Sequence, residues 1–235
     1  MKQALVTGGA HPMGIGLAAA KALVRLGYEV LVTGISEAEA ALTPALDGIR
    51  VRVLDVTDPA SVDALIGGLD RLDALVNCAG RVAYEGFTME QFVKTVAVNL
   101  EGTMRMCLAA HPLLSVKGGA IVNIASMYSI FGSTIAPGYA SSKGGVVSLT
   151  RSLAATWAAD GIRCNAVAPG WIKTGMAQAA WEDEATARHV ILRTPLGRWG
   201  EPEDLGDVIG FLCTPGSRFI NGAVIPVDGG YSISG

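Results

Sequence analysis

An α/β fold built on a doubly wound parallel sheet, Rossmann-like in having helices on both faces, is predicted by three features of the sequence. Apolar runs of strand length alternate with segments of helical period along the whole chain. The strand-like runs are continuous in Val, Ile, Leu and Ala, as in strands covered on both faces, rather than alternating with polar residues. No Pro/Ser-rich linker, charge block or internal repeat divides the 235 residues, so a single domain over 1–235 is expected.

The first strand is read at 3–6. A helix over 14–26 follows, where Ile15, Ala18, Ala19, Ala22, Leu23 and Leu26 recur at helical spacing. Gly27 ends it, and 29–33 is the second strand. Further strands are expected at 50–54, 74–77, 120–125, 163–167 and 223–227. Helices fall between them at 59–69, 89–110, 139–158 and 202–212; Asp58-Pro59 supplies a cap and a first-turn proline for the 59–69 helix.

Composition removes whole classes of function. Half the residues are hydrophobic and 17% are charged, enough apolar surface to bury a core and too little charge for disorder. The 30 glycines show no Gly-X-Y period, which excludes a collagen-like chain. A net charge of −3 gives no electrostatic reason to bind nucleic acid or an anionic membrane. The longest apolar runs are strand-sized, and no signal peptide is read at the N-terminus. Cys78, Cys107, Cys164 and Cys213 form no Cys-x-x-Cys pair, and the three histidines have no metal-ligand spacing. A soluble, cytoplasmic, metal-independent protein with reduced cysteines is expected.

Ligands of an open parallel sheet bind beyond the carboxyl ends of its strands. After the first strand comes Thr7-Gly8-Gly9-Ala10-His11-Pro12-Met13-Gly14-Ile15-Gly16. Such a turn lets backbone approach a phosphate closely, with a helix N-terminus aimed at it; a plain strand-to-helix turn would take the same glycines. Asp55-Val56 follows the third strand and Asn77-Cys78-Ala79-Gly80 the fourth. Asp58 is the better helix cap, which leaves Asp55 free to accept from an adenine amino group.

Tyr139 and Lys143 are four apart in a helical segment, so they share a face. A tyrosine titrates near 10, and a cation one turn away favours its phenolate, which makes Tyr139 a candidate general acid/base. An exposed helix pair is the alternative. Ser126 follows the 120–125 strand, where its hydroxyl could steady a substrate oxygen; a turn serine is the alternative. Asn99 lies in an apolar helical segment that asparagine disfavours, either as a satisfied buried amide or holding a water.

Taken in order, these strings resemble the short-chain dehydrogenase/reductase family along nearly the whole chain. They are Thr7-Gly8-Gly9 with Gly14-Ile15-Gly16, Asp55-Val56, Asn77-Cys78-Ala79-Gly80, Val98-Asn99-Leu100, Ser126 thirteen residues before Tyr139, Tyr139-Ala-Ser-Ser-Lys143, Asn165-Ala-Val-Ala-Pro169-Gly170 and Val227-Asp-Gly-Gly230. The resemblance implies a catalytic tetrad of Asn99, Ser126, Tyr139 and Lys143. In it Tyr139 exchanges a proton with the substrate oxygen and Ser126 steadies that oxygen. Lys143 grips the nicotinamide ribose and lowers the tyrosine pKa, and Asn99 orders a relay water. It implies an NAD(P) site formed by Gly8, Gly14, Ile15, Gly34, Ser36, Asp55, Val56, Asn77, Ala79, Gly80, Tyr139, Lys143, Pro169, Gly170, Ile172 and Thr174, with no metal, and a homotetramer. Two departures stand out: five residues rather than three separate Gly8 from Gly14, and several inter-motif segments are short.

At the end of the second strand, Thr33-Gly34-Ile35-Ser36 offers neither the acid that would select NAD nor the arginine that would select NADP. The missing acid tilts the expectation slightly to NADP, with Ser36 or His11 as possible phosphate contacts. The expected function is an NAD(P)-dependent oxidoreductase acting on a secondary alcohol or ketone. The alternative is a catalytically silent nucleotide-sensing or scaffolding protein on the same fold. Met127, Tyr128 and a covering helix within 171–199, carrying Met176, Ala177, Ala180, Trp181 and Ile191, are expected to form a pocket for a small or medium, fairly apolar carbonyl compound. The small residues Ala140, Ser141, Ser142, Gly144 and Gly145 would let another helix approach closely.

Overall fold

The computed structural model describes residues 1–84 and 87–234. Seven strands, β1 (Lys2–Thr7), β2 (Tyr28–Gly34), β3 (Ile49–Val53), β4 (Ala74–Asn77), β5 (Gly119–Ile124), β6 (Ile162–Pro169) and β7 (Val224–Val227), form one sheet. Its order is β3-β2-β1-β4-β5-β6-β7, and every neighbouring pair is parallel. The helices are α1 (Ile15–Arg25), α2 (Glu37–Ala40), α3 (Pro59–Gly67), α4 (Met89–Val96), α5 (Gly102–Leu114), α6 (Pro137–Thr156), α7 (Gln178–Glu182), α8 (Glu184–Arg193) and α9 (Pro202–Leu212).

Strand alternation explains the continuous apolar runs. In β1, Val6 faces a layer built from Leu17 and Leu23 of α1 and Leu205 and Ile209 of α9. Leu5, its neighbour, faces Val62 of α3, Met106 and Leu114 of α5 and Leu153 of α6. Both faces are therefore apolar, and residues with other business are displaced to the strand ends. Local chemistry fixes the boundaries: the Asp58 carboxylate accepts the Ala60 N–H at 3.0 Å with Pro59 in the first turn, and the Thr88 hydroxyl accepts from Gln91 at 3.2 Å to start α4.

All seven predicted strands form, each end within two residues of its expected place. The helix read over 89–110 does not run through. α4 ends at Val96, a wide π turn occupies Ala97–Glu101, and α5 continues to Leu114. The extra residue of a π turn rotates the side chains that follow, and Asn99 is thereby fully buried. Its two flanks carry the same apolar pattern as a plain helix, so periodicity alone does not reveal it. One side of α6 packs closely on this same segment, where a Cβ on Gly145 would stand 2.7 Å from Leu100 and one on Gly138 3.1 Å from Phe92, while a Cβ on Gly144 would meet nothing within 4 Å. No helix among the described residues is long and apolar enough to cross a membrane.

One polar cluster lies inside the sheet layer. Asn77 and Asn123 are direct neighbours across β4 and β5; Asn77 Nδ2 donates to Asn123 Oδ1 at 2.9 Å and to Cys107 Sγ at 3.2 Å. Asn123 Nδ2 donates in turn to Thr150 Oγ1 at 3.0 Å, pinning α6 to the sheet. Truncating Asn123 would take the oxygen acceptor from Asn77 Nδ2 and the amide donor from Thr150 Oγ1, both buried. Asn123→Ala should lose about 2–4 kcal/mol of unfolding free energy in a denaturant titration. A loss within about 0.5 kcal/mol would mean that the cluster does not tie the layers together.

Candidate active site

The order of the sheet reverses between β1 and β4, and there the carboxyl ends of β1, β4, β5 and β6 open into a cleft of about 310 Å³. Its nucleotide end is built on Thr7. The Thr7 Oγ1 accepts the N–H groups of both Cys78 and Ala79 at 3.1 Å, locking the turn after β4 against the end of β1. Gly8 has a positive φ of 63°, and a Cβ there would lie 2.6 Å from Ala79 Cα, so only glycine fits. Gly14 precedes α1 and offers no side-chain cap, so first-turn N–H groups and the positive end of the helix dipole are turned to the cleft. This uncapped, glycine-lined cradle fits a dinucleotide pyrophosphate.

The longer glycine loop closes on itself. Gly14 N–H donates to His11 O at 2.9 Å, and His11 Nδ1 accepts the Met13 N–H at 3.2 Å. The imidazole then lies against Gly175 on the far side of the cleft, where a Cβ would come within 2.7 Å of its Cε1. The two additional residues thus extend the loop towards the segment after β6.

At the other end Ser126, Tyr139 and Lys143 line the same cleft. Ser126 follows β5, and its Oγ accepts the Tyr128 N–H at 3.2 Å, which leaves its O–H free to donate into the site. Lys143 is 4% exposed; its ammonium donates to Ile124 O at 2.6 Å and sits 5.6 Å from the centre of the Tyr139 ring. Burial pulls its pKa down to about 8, opposed by the Cys78 thiol. Tyr139 moves the other way, to about 12: burial raises it, the neighbouring Ser126 hydroxyl lowers it, and Tyr84, Cys78 and Tyr128 add to the rise. Lys143 is not among the groups that lower Tyr139. The ammonium lies over the ring and serves Ile124 O, and desolvation of the phenol dominates.

Asn99 stands behind this group. Its Oδ1 accepts the Arg81 N–H at 2.8 Å, while Nδ2 donates to Arg81 O at 2.9 Å and Ser142 Oγ at 3.0 Å. A Cβ on Gly80 would lie 3.5 Å from Asn99 Oδ1 and 3.7 Å from Lys143 Nζ. The amide is fully used holding the chain at 80–81 against α6, beside Lys143.

Of the predicted cofactor residues, Gly8, Gly14, Ile15, Gly80, Tyr139, Lys143, Pro169, Gly170, Ile172 and Thr174 line the cleft. Six others stand off its walls. Asn77 is turned into the sheet interior, and the Asp55 carboxylate takes the N–H and hydroxyl of Thr57 at 2.8 and 2.7 Å. Val56 is buried in the α3/α5 layer, and Ala79 packs beside it. Gly34 lies under Ala10, Glu39 and Ala40, and Ser36 caps α2. The residue that sequence reading missed is Glu39, which lines the nucleotide end. The spacing Ser36-x-x-Glu39 is that of a capping box, a signal for a helix start that would have returned an acid to the end of β2.

Aromatic residues wall the substrate end. Tyr128 meets Tyr139 and Trp171 edge-on at 6.2 and 6.5 Å, and the Tyr84 hydroxyl reaches Met176 O at 3.5 Å across the opening. The covering segment is a single turn at Gly175–Ala177 followed by α7 and α8, rather than one helix. Met127, Met176 and Ala177 line the cleft. Ala180, Trp181 and Ile191 do not; the Trp181 indole N–H donates to Thr174 O at 3.3 Å.

Comparison with known proteins gives the same picture. Residues 8–232 match the family model described as enoyl-(acyl carrier protein) reductase. A tropinone reductase homologue of Arabidopsis thaliana is 36% identical over 250 residues, spanning 100% of this chain and 93% of that protein. The 2-dehydro-3-deoxy-D-gluconate 5-dehydrogenase of Bacillus subtilis is 35% identical, spanning 98% of this chain and 94% of its own. Among solved structures, a gluconate 5-dehydrogenase from Burkholderia cenocepacia in complex with NADP and tartrate superposes with a TM-score of 0.91 at 31% identity, covering 100% of this chain and 96% of that one. The ligand-free aldohexose dehydrogenase of Thermoplasma acidophilum gives 0.91 at 31% identity, covering 100% and 95%.

The lowered pKa of Lys143 has a consequence for stability. Between about 8 in the folded chain and about 10.4 when unfolded, the unfolded state holds a proton that the folded state has released. The contribution of this side chain therefore rises with pH through that window. Relative to Lys143→Met, the wild type should gain up to about 3 kcal/mol of unfolding free energy between about pH 8 and about pH 10. A difference that stays flat with pH would show that the ammonium is hydrated in the folded protein.

Proposed function

The chain belongs to the short-chain dehydrogenase/reductase family, and from that footing we propose that it is an NAD(P)-dependent oxidoreductase interconverting a secondary alcohol and its ketone, with Tyr139 as general acid/base. One observation carries this reading: Ser126, Tyr139 and Lys143 converge at one end of a single cleft whose other end is the glycine loop and the uncapped start of α1. When bound, the nicotinamide supplies or takes the hydride. The reading treats residues 1–235 as one cofactor-binding and catalytic unit.

In the reductive direction the substrate carbonyl oxygen sits between the free Ser126 O–H and the Tyr139 phenol. Ser126 steadies charge on that oxygen as it develops, and Tyr139, protonated at neutral pH, delivers the proton. Lys143, its pKa drawn down to about 8 by burial, stays largely charged at neutral pH and stands over the Tyr139 ring, where its charge would favour the phenolate of the oxidative direction. Asn99 positions the chain at 80–81 and α6 around Lys143. In the oxidative direction the phenol must first lose its proton. A silent scaffold would have no need of four groups placed in this way.

The substrate end favours a neutral carbonyl compound. Tyr84, Met127, Tyr128, Ile135, Trp171 and Met176 line it, and Lys143 is the one charged group there among the described residues. That suits a small or medium, fairly apolar ketone better than the sugar acids for which several relatives are named. Met89, Val93 and Leu108 on α4 and α5, with Phe211 and Phe219 near β7, leave apolar surface exposed, which supports a homotetramer as the working assembly. Four free cysteines fit a cytoplasmic location. Neither nucleic acid nor membrane is a partner in this reading.

Tyr139→Phe should lower kcat by roughly 10²–10⁴-fold on a panel of ketones while leaving dinucleotide affinity within about threefold. Turnover unaffected by this change would defeat the mechanism. Alcohol oxidation should quicken from about pH 7 to about pH 9 as the phenol becomes easier to deprotonate, whereas ketone reduction should stay level or fall. Light scattering on a sizing column should give four times 24.2 kDa; a monomer would remove the tetramer from the proposal.

A further inference from the structure

The substrate end of the cleft is walled by rings that other side chains hold in place. Tyr128 and Trp171, both half-buried, line it with their centres 6.5 Å apart and their planes at 80°. Tyr128 stands at 83° to the Tyr139 ring, 6.2 Å away. Each wall has a backing that lies off the cleft. For Tyr128 it is Phe131, edge-on at 5.6 Å. The Arg193 guanidinium lies 5.8 Å from the Phe131 ring and 4.2 Å from that of Tyr231, and it donates to the Tyr231 hydroxyl at 3.2 Å. For Trp171 the backing is Trp199, at 5.4 Å and 4% exposed, whose indole N–H donates to Ala187 O at 3.3 Å. Met127, Ile135 and Met176 complete this end of the cleft.

We propose that the substrate carries an aromatic ring on its carbonyl carbon, and that Tyr128 and Trp171 receive this ring. The inference rests on the oxidoreductase reading above and names its substrate class: aryl ketones and the secondary alcohols that correspond to them. Tyr128 stands one ring's distance from the catalytic phenol, so the group it meets is the one bonded directly to the reacting carbon. Two walls set nearly at right angles offer an electron-rich face beside an electropositive edge. A flat aryl ring meets both in favourable geometry, whereas a saturated ring of the same size gains from buried area alone. The thioethers of Met127 and Met176 add soft, polarizable contacts of the kind aromatic rings take up well. Because the walls are backed by Phe131 and Trp199, little side-chain freedom is lost when the ring enters.

A hydroxyl-rich substrate finds few partners at the same place. Among the described residues lining the cleft there is no Asn, Gln, Asp or Arg, and the one carboxylate, Glu39, is at the nucleotide end. Ser133 Oγ already accepts the Ala136 N–H at 3.0 Å, and the Tyr84 hydroxyl reaches Met176 O at 3.5 Å. A sugar acid would bring several hydroxyls and a carboxylate against these rings and leave most of them unpaired.

Acetophenone and cyclohexyl methyl ketone share a carbon skeleton and differ in the π system, so the pair isolates the ring. Their affinities are read by titration in the presence of saturating NAD or NADP, which cannot reduce them, and their kcat/KM values with the reduced cofactors. Acetophenone should bind the wild type about tenfold more tightly. Trp171→Leu and Tyr128→Leu should each cut that preference roughly threefold or more, while Trp171→Phe and Tyr128→Phe, which keep a ring, should largely retain it. Thermal melting of all four variants checks that they fold, and the Phe variants separate a lost ring from a disturbed wall. Equal affinity for the two ketones would overturn the proposal, as would a preference that survives both Leu substitutions. Oxidation of gluconate with a higher kcat/KM than 1-phenylethanol would overturn it too. If the aryl preference holds in binding but no ketone is reduced, the oxidoreductase reading fails and takes this substrate class with it; if ketones are reduced without preference, only the aryl assignment falls.

Discussion

A parallel sheet covered by helices on both faces can carry almost no polar chemistry along its strands, and the architecture of this chain follows from that constraint. Val6 and Leu5, adjacent in β1, are both fully buried on opposite sides. Groups that need a ligand or a proton are left to the carboxyl ends, where β1, β4, β5 and β6 stop at nearly the same level. Thr7 is the last residue of β1, and its single hydroxyl holds the end of β4 in register with the glycine loop. The cleft exists because these four strand ends are locked side by side.

Within that frame, the catalytic end depends on burying a lysine. Among the described residues Lys143 has no carboxylate partner, and a backbone carbonyl at the end of β5 receives its ammonium. Desolvation without a counter-charge pulls its pKa towards neutrality and raises that of Tyr139 beside it. The free protein thus holds a protonated phenol and a labile amine side by side. In the mechanism proposed above, the positive nicotinamide of an oxidised cofactor would draw the phenol back down, and cofactor binding would then be coupled to proton transfer through the dryness of the site.

Most of this architecture could be read from the residues, and the failures have physical causes. The seven strands were legible because burial on both faces writes continuous apolar runs. Ser126, Tyr139 and Lys143 were legible because their spacing fixes a strand end and one helix face. The π turn at Ala97–Glu101 was hidden because one additional residue leaves the apolar pattern of its flanks intact. Asn77 misled because a strand's last residue can point into the layer as readily as into the cleft, and its partner Asn123 is 46 residues away. Glu39 reaches the cleft only because the Ser36 cap turns the start of α2 back on the end of β2, a contact that strand periodicity does not carry.

The pKa of Tyr139 tests the central claim most directly, measured as the difference in phenolate absorption between the wild type and Tyr139→Phe, without cofactor and with saturating NAD. Burial predicts a value raised to about 12 in the free protein, and the proposed mechanism predicts a clear fall when the oxidised cofactor is bound. A tyrosine that titrates at its ordinary value near 10 and ignores the cofactor would contradict it.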